Sequence, residues 1–254
     1  MFIDTHCHIV SEYYDDIDEV IKNVIDNGVL KIIINGYNMQ SNREVLELVK
    51  KYDIVYGALG IQPEELYDYN DDSLKFIEEH INDEKIIAVG EIGLDYHYDT
   101  DKELQKELFK RQLEIAYKYN KPVIIHSRDC IQETYNILKE SKVKGTMHCY
   151  SGSKEMALEF IKIGFLIGIG GVSTFKNAKN IVDVIKYIPL EYIILETDSP
   201  YLTPEPYRGK RNEPMYIPIV AKRVADIKGL GIKEIERTTT DNARRLFDIW
   251  VDLC

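Results

Sequence analysis

Residues 1–10 read MFIDTHCHIV. A short apolar start is broken at Asp4, and two histidines, His6 and His8, follow one residue apart. In an extended strand successive side chains point to opposite faces, so positions i and i+2 share one. Both imidazoles then face one way and Cys7 the other. A histidine pair on a rigid strand is a ready chelate for a borderline divalent metal. A lone histidine at a strand end is more simply a hydrogen-bonded structural residue, so the pair must be weighed with the rest of the chain.

The same rhythm runs outward from this strand. Eight apolar runs, MFID, LKIIING, IVYGALG, KIIAVGEIG, PVIIHSR, KGTMHCYSG, GFLIGIGG and YIILETDSP, alternate with amphipathic segments. Helices are expected near Ile17–Asp26, Asn42–Lys51, Ser73–His80, Lys102–Tyr119, Cys130–Lys139, Lys154–Ile163, Ala178–Tyr187, Pro214–Ile227 and Ile232–Phe247. The short runs are almost continuously hydrophobic, as parallel strands covered on both faces must be. Strand–helix alternation implies a parallel sheet with right-handed crossovers. Eight units in 254 residues fit an α/β fold of the (β/α)8 TIM-barrel type, one domain over residues 1–254. A doubly wound open sheet is the alternative. The first run is not followed by Gly-x-Gly-x-x-Gly, which counts against a dinucleotide-binding version.

Composition narrows the function classes. Apolar residues make up 44% and charged residues 30%, an ordinary globular balance. The first apolar run is too short for a signal peptide and no run approaches membrane-spanning length, so a cytoplasmic location is expected. The net charge of -11 disfavours broad adhesion to nucleic acid or anionic membrane. It leaves room for an anionic substrate at a local cationic site, including one built from metal ions. Cys7, Cys130, Cys149 and Cys254 form no Cys-x-x-Cys pair and are read as reduced thiols. Cys149 follows His148 as Cys7 follows His6, so both thiols are expected in the core, off the ligand face.

Four of the six histidines end a strand candidate: His6, His8, His126 and His148. Glu91 and Asp198 occupy equivalent places. In a parallel barrel all these ends lie on the face where the βα loops build the active site. Four imidazoles and two carboxylates are too many ligands for one four-coordinate ion with an open position. They suit two divalent ions bridged by a carboxylate, an arrangement that activates water and clamps the attacking and leaving oxygens in hydrolysis. Glu91, midway in the set, is the expected bridge. His6, His8 and Asp198 are assigned to one ion, and Glu91, His126 and His148 to the other. Asp198 is further expected to act as general base. Zn, Mn, Ni and Co suit mixed imidazole and carboxylate ligation, and Mg is compatible at lower affinity.

Around this set, Asp4 shares a face with His6 and is a candidate to orient it, with backbone hydrogen bonding the equal alternative. Arg128, two residues past His126, is a candidate substrate-phosphate or carboxylate ligand, or else an ordinary helix-face arginine. The stretch PEPYRGKRNEP places Arg208, Lys210 and Arg211 in a proline-bracketed loop shortly after Asp198. A basic loop there points to an anionic substrate, against the alternative of a solvated turn. His97 and Asp95, just beyond Glu91, are expected to have no direct role, and His80 is read as a surface residue.

The motifs DTHCH, GEIGLDY, HSRD, HCYSG, ETDSPYLTP, RGKRNEP and TTTDNARRLF, in this order from Phe2 to about Phe247, together resemble the TatD family of metal-dependent deoxyribonucleases. The resemblance implies an amidohydrolase-like barrel with a divalent metal centre. It also implies hydrolysis of DNA phosphodiester bonds, with 3′-to-5′ exonuclease action on a single strand or 3′ end. The family's ligands fall on His6, His8, Glu91, His126, His148 and Asp198, in agreement with the reading from spacing. One departure stands out. Many members carry a G-x-H-P motif after the third strand, often with another histidine two residues on. This chain reads GIQPEE, with Gln62 and Glu64 at those places, so a histidine able to touch substrate is missing.

Two other function classes remain to be weighed. One is an amide, ester or lactone hydrolase for a small molecule on the same scaffold. Related phosphotriesterase and dihydroorotase sites use a bridging lysine carbamate, and none of the strand-end motifs supplies a lysine. The other is a non-catalytic, metal-containing binding protein, disfavoured because all six ligands are intact. A monomer is expected.

Overall fold

A computed structural model describes residues 1–249, so Cys254 lies outside the described residues. Its eight strands are β1 Phe2–Cys7, β2 Val29–Asn35, β3 Val55–Leu59, β4 Ile86–Asp95, β5 Val123–Arg128, β6 Gly145–Met147, β7 Phe165–Ile169 and β8 Ile193–Leu195. All neighbouring pairs are parallel and follow chain order, β1 to β8. The ring closes just beyond β8. Cys7 bridges Ser199, the His8 amide donates to the Ser199 carbonyl at 2.7 Å, and the Asp198 amide donates to the His6 carbonyl at 2.9 Å. The fold is a (β/α)8 barrel, and the open doubly wound sheet is ruled out by this closure.

Helices α1 Ile17–Asp26, α2 Met39–Lys51, α3 Asp71–His80, α4 Lys102–Lys118, α5 Ile131–Ser141, α6 Lys154–Lys162 and α7 Lys179–Tyr187 each cross from one strand to the next. Helices α8 Ile217–Lys228 and α9 Ile232–Phe247 follow β8. Polar residues fix several helix starts. Asn38 and Ser41 exchange reciprocal backbone bonds at α2, as Asn70 and Ser73 do at α3, each cap contributing about 1 kcal/mol.

Two apolar layers follow from strand alternation. Residues such as Ile32, Ile34, Val123, Ile125, Phe165 and Ile167 pack outward in the large cluster shared with the helices. Ile33, Ala58, Ile124, Leu166 and Ile194 form a second cluster, joined by Ala243 and Phe247 of α9. Helix α9 therefore completes this inner layer. His126 lies two residues after inward Ile124, so strand geometry carries it to the inner face. Strand β1 is less regular: its register with β2 slips between Asp4 and Cys7. Cys7 nonetheless joins the outer cluster, as the alternation predicts.

Candidate metal centre

The C-terminal ends of β1, β4 and β5, with the residues just past β6 and β8, bring six predicted side chains together. His6 Nε2 and His8 Nε2 lie 3.1 Å apart. Glu91 Oε2 is 3.6 Å from His6 Nε2 and 3.3 Å from His8 Nε2. Asp198 Oδ1 is 3.6 and 3.7 Å from the same two nitrogens. On the other side Glu91 Oε1 lies 2.9 Å from His126 Nδ1 and 3.4 Å from His148 Nε2. The two Glu91 oxygens thus face different histidines, the disposition a bridging carboxylate needs. His6, Glu91 and His148 are buried, and the His6 and His148 rings stack at 3.7 Å.

This donor set fits divalent metal. His8 Nδ1 is 2.9 Å from the Asn35 carbonyl and donates to it, so in the neutral ring the Nε2 lone pair faces inward. That lone pair meets His6 Nε2 at 3.1 Å beside two carboxylates. Such a crowd of acceptors is repulsive unless a cation or proton lies among them. Two triads have donor atoms mutually within 4.8 Å: His6, His8 and Asp198, and His6, Glu91 and His148. The first is the expected grouping. The second has His6 where His126 was expected, because the His126 ring is held between Glu91 and Asp95.

The electrostatics agree. Burial alone would raise the Glu91 carboxyl, but the surrounding His148, His126, His8 and His6 hold it well below the ordinary range. Burial opposes charge on His148, yet Asp198, Glu196 and Glu91 push it up to about 9. Burial also opposes charge on His126, and hydrogen bonds to Asp95 and Glu91 raise it to about 10. For His6, burial and then His148 lower it. Burial lifts Asp198 to about 6 against the pull of His148 and His8. Asp198 itself stands at φ +57°, in the left-handed region that asparagine and aspartate tolerate best among non-glycine residues.

The family is decided by similarity along nearly the whole chain. A family model described as "TatD related DNase" matches residues 3–248. The chain belongs to the TatD family. It is 43% identical to the uncharacterized metal-dependent hydrolase YabD of Bacillus subtilis over 98% of this chain and 100% of that one. It is 35% identical to the uncharacterized metal-dependent hydrolase YcfH of Escherichia coli, covering 97% and 96% of the two chains. The crystal structure of YjjV, a TatD homologue from E. coli, superposes with a TM-score of 0.94 at 33% identity, over 98% of each chain. The protein is a metal-dependent hydrolase of this family. Among the described residues no helix is long and apolar enough to cross a membrane.

Several TatD-family side chains lie elsewhere than the sequence suggested. Asp95 was expected to have no direct role. It is buried, and its Oδ2 lies 3.0 Å from His126 Nε2, so it orients that ring. Asp4 follows the backbone-bonding alternative. Its Oδ1 accepts from the backbone amides of His6 and Thr197, tying β1 to the segment after β8. Cys149 is not in the core: β6 stops at Met147, Cys149 turns at φ +42°, and its residue lines the mouth. Glu196 escaped the sequence reading altogether. It is fully buried, accepts the Cys149 amide, and its Oε1 is 3.4 Å from His148 Nδ1. That contact is charge attraction without a formed hydrogen bond, since His148 Nδ1 has no hydrogen-bond partner. The available signal was an acid ending the apolar run YIILE.

The centre opens into a cavity of about 660 Å³. Arg128 lines it, as do Gln62 and Glu64, with the Arg128 guanidinium 5.5 Å from the Tyr98 ring. The basic loop does not line it. Arg208 stacks on Phe175 at 4.2 Å, Lys210 sits 5.5 Å over Tyr207, and Arg211 sits 4.6 Å over Tyr14. His97 pairs with Asp129 on the exposed rim, and His80 with Asp83.

Proposed function

We propose that this TatD-family hydrolase cleaves phosphodiester bonds of DNA, working inward from a 3′ end. His6, His8, Glu91, His126, His148 and Asp198 would hold two divalent ions, which when bound supply Lewis acidity and activate water. The observation that carries the reading is the junction of two features. Six imidazole and carboxylate groups cluster at one site, five of them lining an open cavity and His6 fully buried against Glu91 and His8, and among the described residues that cavity's lining includes Arg128 and no lysine. The missing lysine counts against a carbamate-bridged small-molecule site.

The chain's own groups have definite tasks in this reading. Asn35 and Asp95 fix the rings of His8 and His126 by accepting their outer N–H groups. Asp198 Oδ1 faces the nitrogens of His6 and His8 and accepts the proton of the attacking water. Arg128 donates to a non-bridging phosphate oxygen from the cavity wall, a planar fork matched to phosphate.

The test is a time course on 3′- and 5′-labelled oligonucleotides with Mn, Zn, Mg, Ni or Co added. Stepwise shortening from the 3′ end is expected; internal fragments from the first time point would overturn the polarity. Asp198→Asn should keep the wild-type melting profile and lose at least about 100-fold in kcat, the lower range for a general base. Unchanged turnover in that variant would defeat the assignment. Lactone and dihydroorotate assays on the same preparations provide the competing outcome.

A further inference from the structure

We infer that Tyr201, backed by Tyr13 and the buried Tyr37, is the exposed face of an aromatic ledge on which the unpaired terminal nucleobase of the substrate strand stacks. The inference rests on the nuclease reading above. All three tyrosines line the same cavity as His8, Glu91 and Asp198. The Tyr37 ring meets the His8 ring edge-on at 5.3 Å, so the ledge begins at the centre itself. Tyr13 lies 6.2 Å from Tyr37 and 5.7 Å from Tyr201, ring centre to ring centre. The outermost ring, Tyr201, keeps 50% of its surface exposed.

These rings are fixed, not loose. The Tyr201 hydroxyl donates to the Tyr13 hydroxyl at 3.0 Å, and the Tyr37 hydroxyl donates to Glu12 at 2.6 Å. The backbone beneath them is clamped by the loop that sequence reading assigned to phosphate. Arg211 Nη1 donates to the Tyr13 carbonyl at 2.7 Å. The Tyr14 hydroxyl donates to the Asn212 carbonyl, and Asn212 Nδ2 donates to the Tyr201 carbonyl, each at 2.6 Å. Residues 211 and 212 thus anchor the middle and the outer ring of the ledge, Tyr13 and Tyr201, which makes Arg211 a positioning residue.

The occupant follows from chemistry. Arg128 is placed for phosphate, and the ledge is aromatic beside an acidic residue, Glu12, which suits a neutral π-face better than an anion. Every base has such a face, and a base in a duplex has both faces already covered. Stacking on side chains is therefore a sequence-tolerant way to choose unpaired strands.

The experiment compares two single-stranded oligonucleotides, one ending in 2-aminopurine and one in an abasic residue. Tyr201→Ala should raise KM about 10-fold on the first, within the range a lost base–aromatic stack produces, with kcat nearly unchanged. It should leave KM on the abasic strand unaltered and relieve the quenching of 2-aminopurine fluorescence on binding. Tyr201→Phe, which keeps the ring, should restore most of the affinity, and Arg211→Ala should shift KM in the direction of Tyr201→Ala. Equal effects of Tyr201→Ala on both strands, or none on either, would overturn the ledge. Wild-type protein that quenches 2-aminopurine through Tyr201 but cuts no DNA keeps the ledge and defeats the nuclease reading. Cutting with quenching unaltered in Tyr201→Ala does the reverse, and failure both to bind and to cut defeats both.

Discussion

Glu196 is the residue whose chemistry the sequence hid most completely. It is an acid with no solvent contact, and a Cβ on Gly168 would come within 2.3 Å of its Oε2. The glycine therefore makes room for the carboxylate. Glu196 faces Nδ1 of His148 while Nε2 of that ring faces Glu91. A carboxylate behind a ligating histidine fixes the ring and raises its basicity. Glu196→Gln preserves shape and removes the charge, so metal affinity should fall about 10- to 100-fold. Competition with a chromophoric chelator measures this directly, and an unchanged affinity would rule out the orienting role. At this scale the four histidines, Glu91 and Asp198 were legible because strand ends on one barrel face converge whatever the loops do. Glu196 and Asp95 were not, because each sits in the shadow of a stronger candidate nearby and acts through a ring distant in sequence. Cys149 was misread because alternation was carried past the end of a strand only three residues long.

At the scale of elements, hydrophobic periodicity located all nine α-helices of the described residues, and the ends of α1 and α9 coincide with the expected residues, whereas short 3-10 turns such as Leu66–Asp68 carried no periodic signal. What periodicity could not supply was the task of a polar residue inside a helix. Asn242 of α9 is buried, and its Nδ2 donates to the carbonyls of Leu190 and Ile193 at 2.9 and 2.8 Å. It thereby anchors the start of β8 to the helix that completes the inner apolar layer. Asn242→Ala would strand two carbonyls at that junction, costing roughly 2 kcal/mol. For a chain of this size that lowers the midpoint of thermal unfolding by about 4–8 °C. Differential scanning calorimetry would show it, and a change below 1 °C, about the size of a neutral surface substitution, would refute the anchoring role. The RGKRNEP loop illustrates the converse: charges whose partners a local pattern does not show. Its charges invited a phosphate, but Phe175, Tyr207 and Tyr14 take up the three cationic side chains. Phe175 and Tyr14 come from remote loops, and no local pattern announces them.

For the molecule as a whole, the open question is how a chain of net charge -11 handles a polyanion. A strongly basic nuclease gains affinity by releasing counterions, and its binding falls steeply with salt. Here Arg128 is the one lysine or arginine lining the cavity among the described residues. The surrounding acidic field repels a strand at low salt and is itself screened as salt rises. Both facts flatten the salt response. With one phosphate neutralised by a side chain, the expected slope of log affinity against log salt is about -0.7 for a single strand. KM should then rise only about 2- to 3-fold between roughly 50 and 200 mM salt, at fixed free metal concentration. A slope several times steeper would mean that cations outside the cavity, Arg208, Lys210 and Arg211 first among them, leave their aromatic partners to engage the backbone. Repeating the measurement with Arg208→Ala and Lys210→Ala separates the two cases, because only in the second would either substitution reduce the slope.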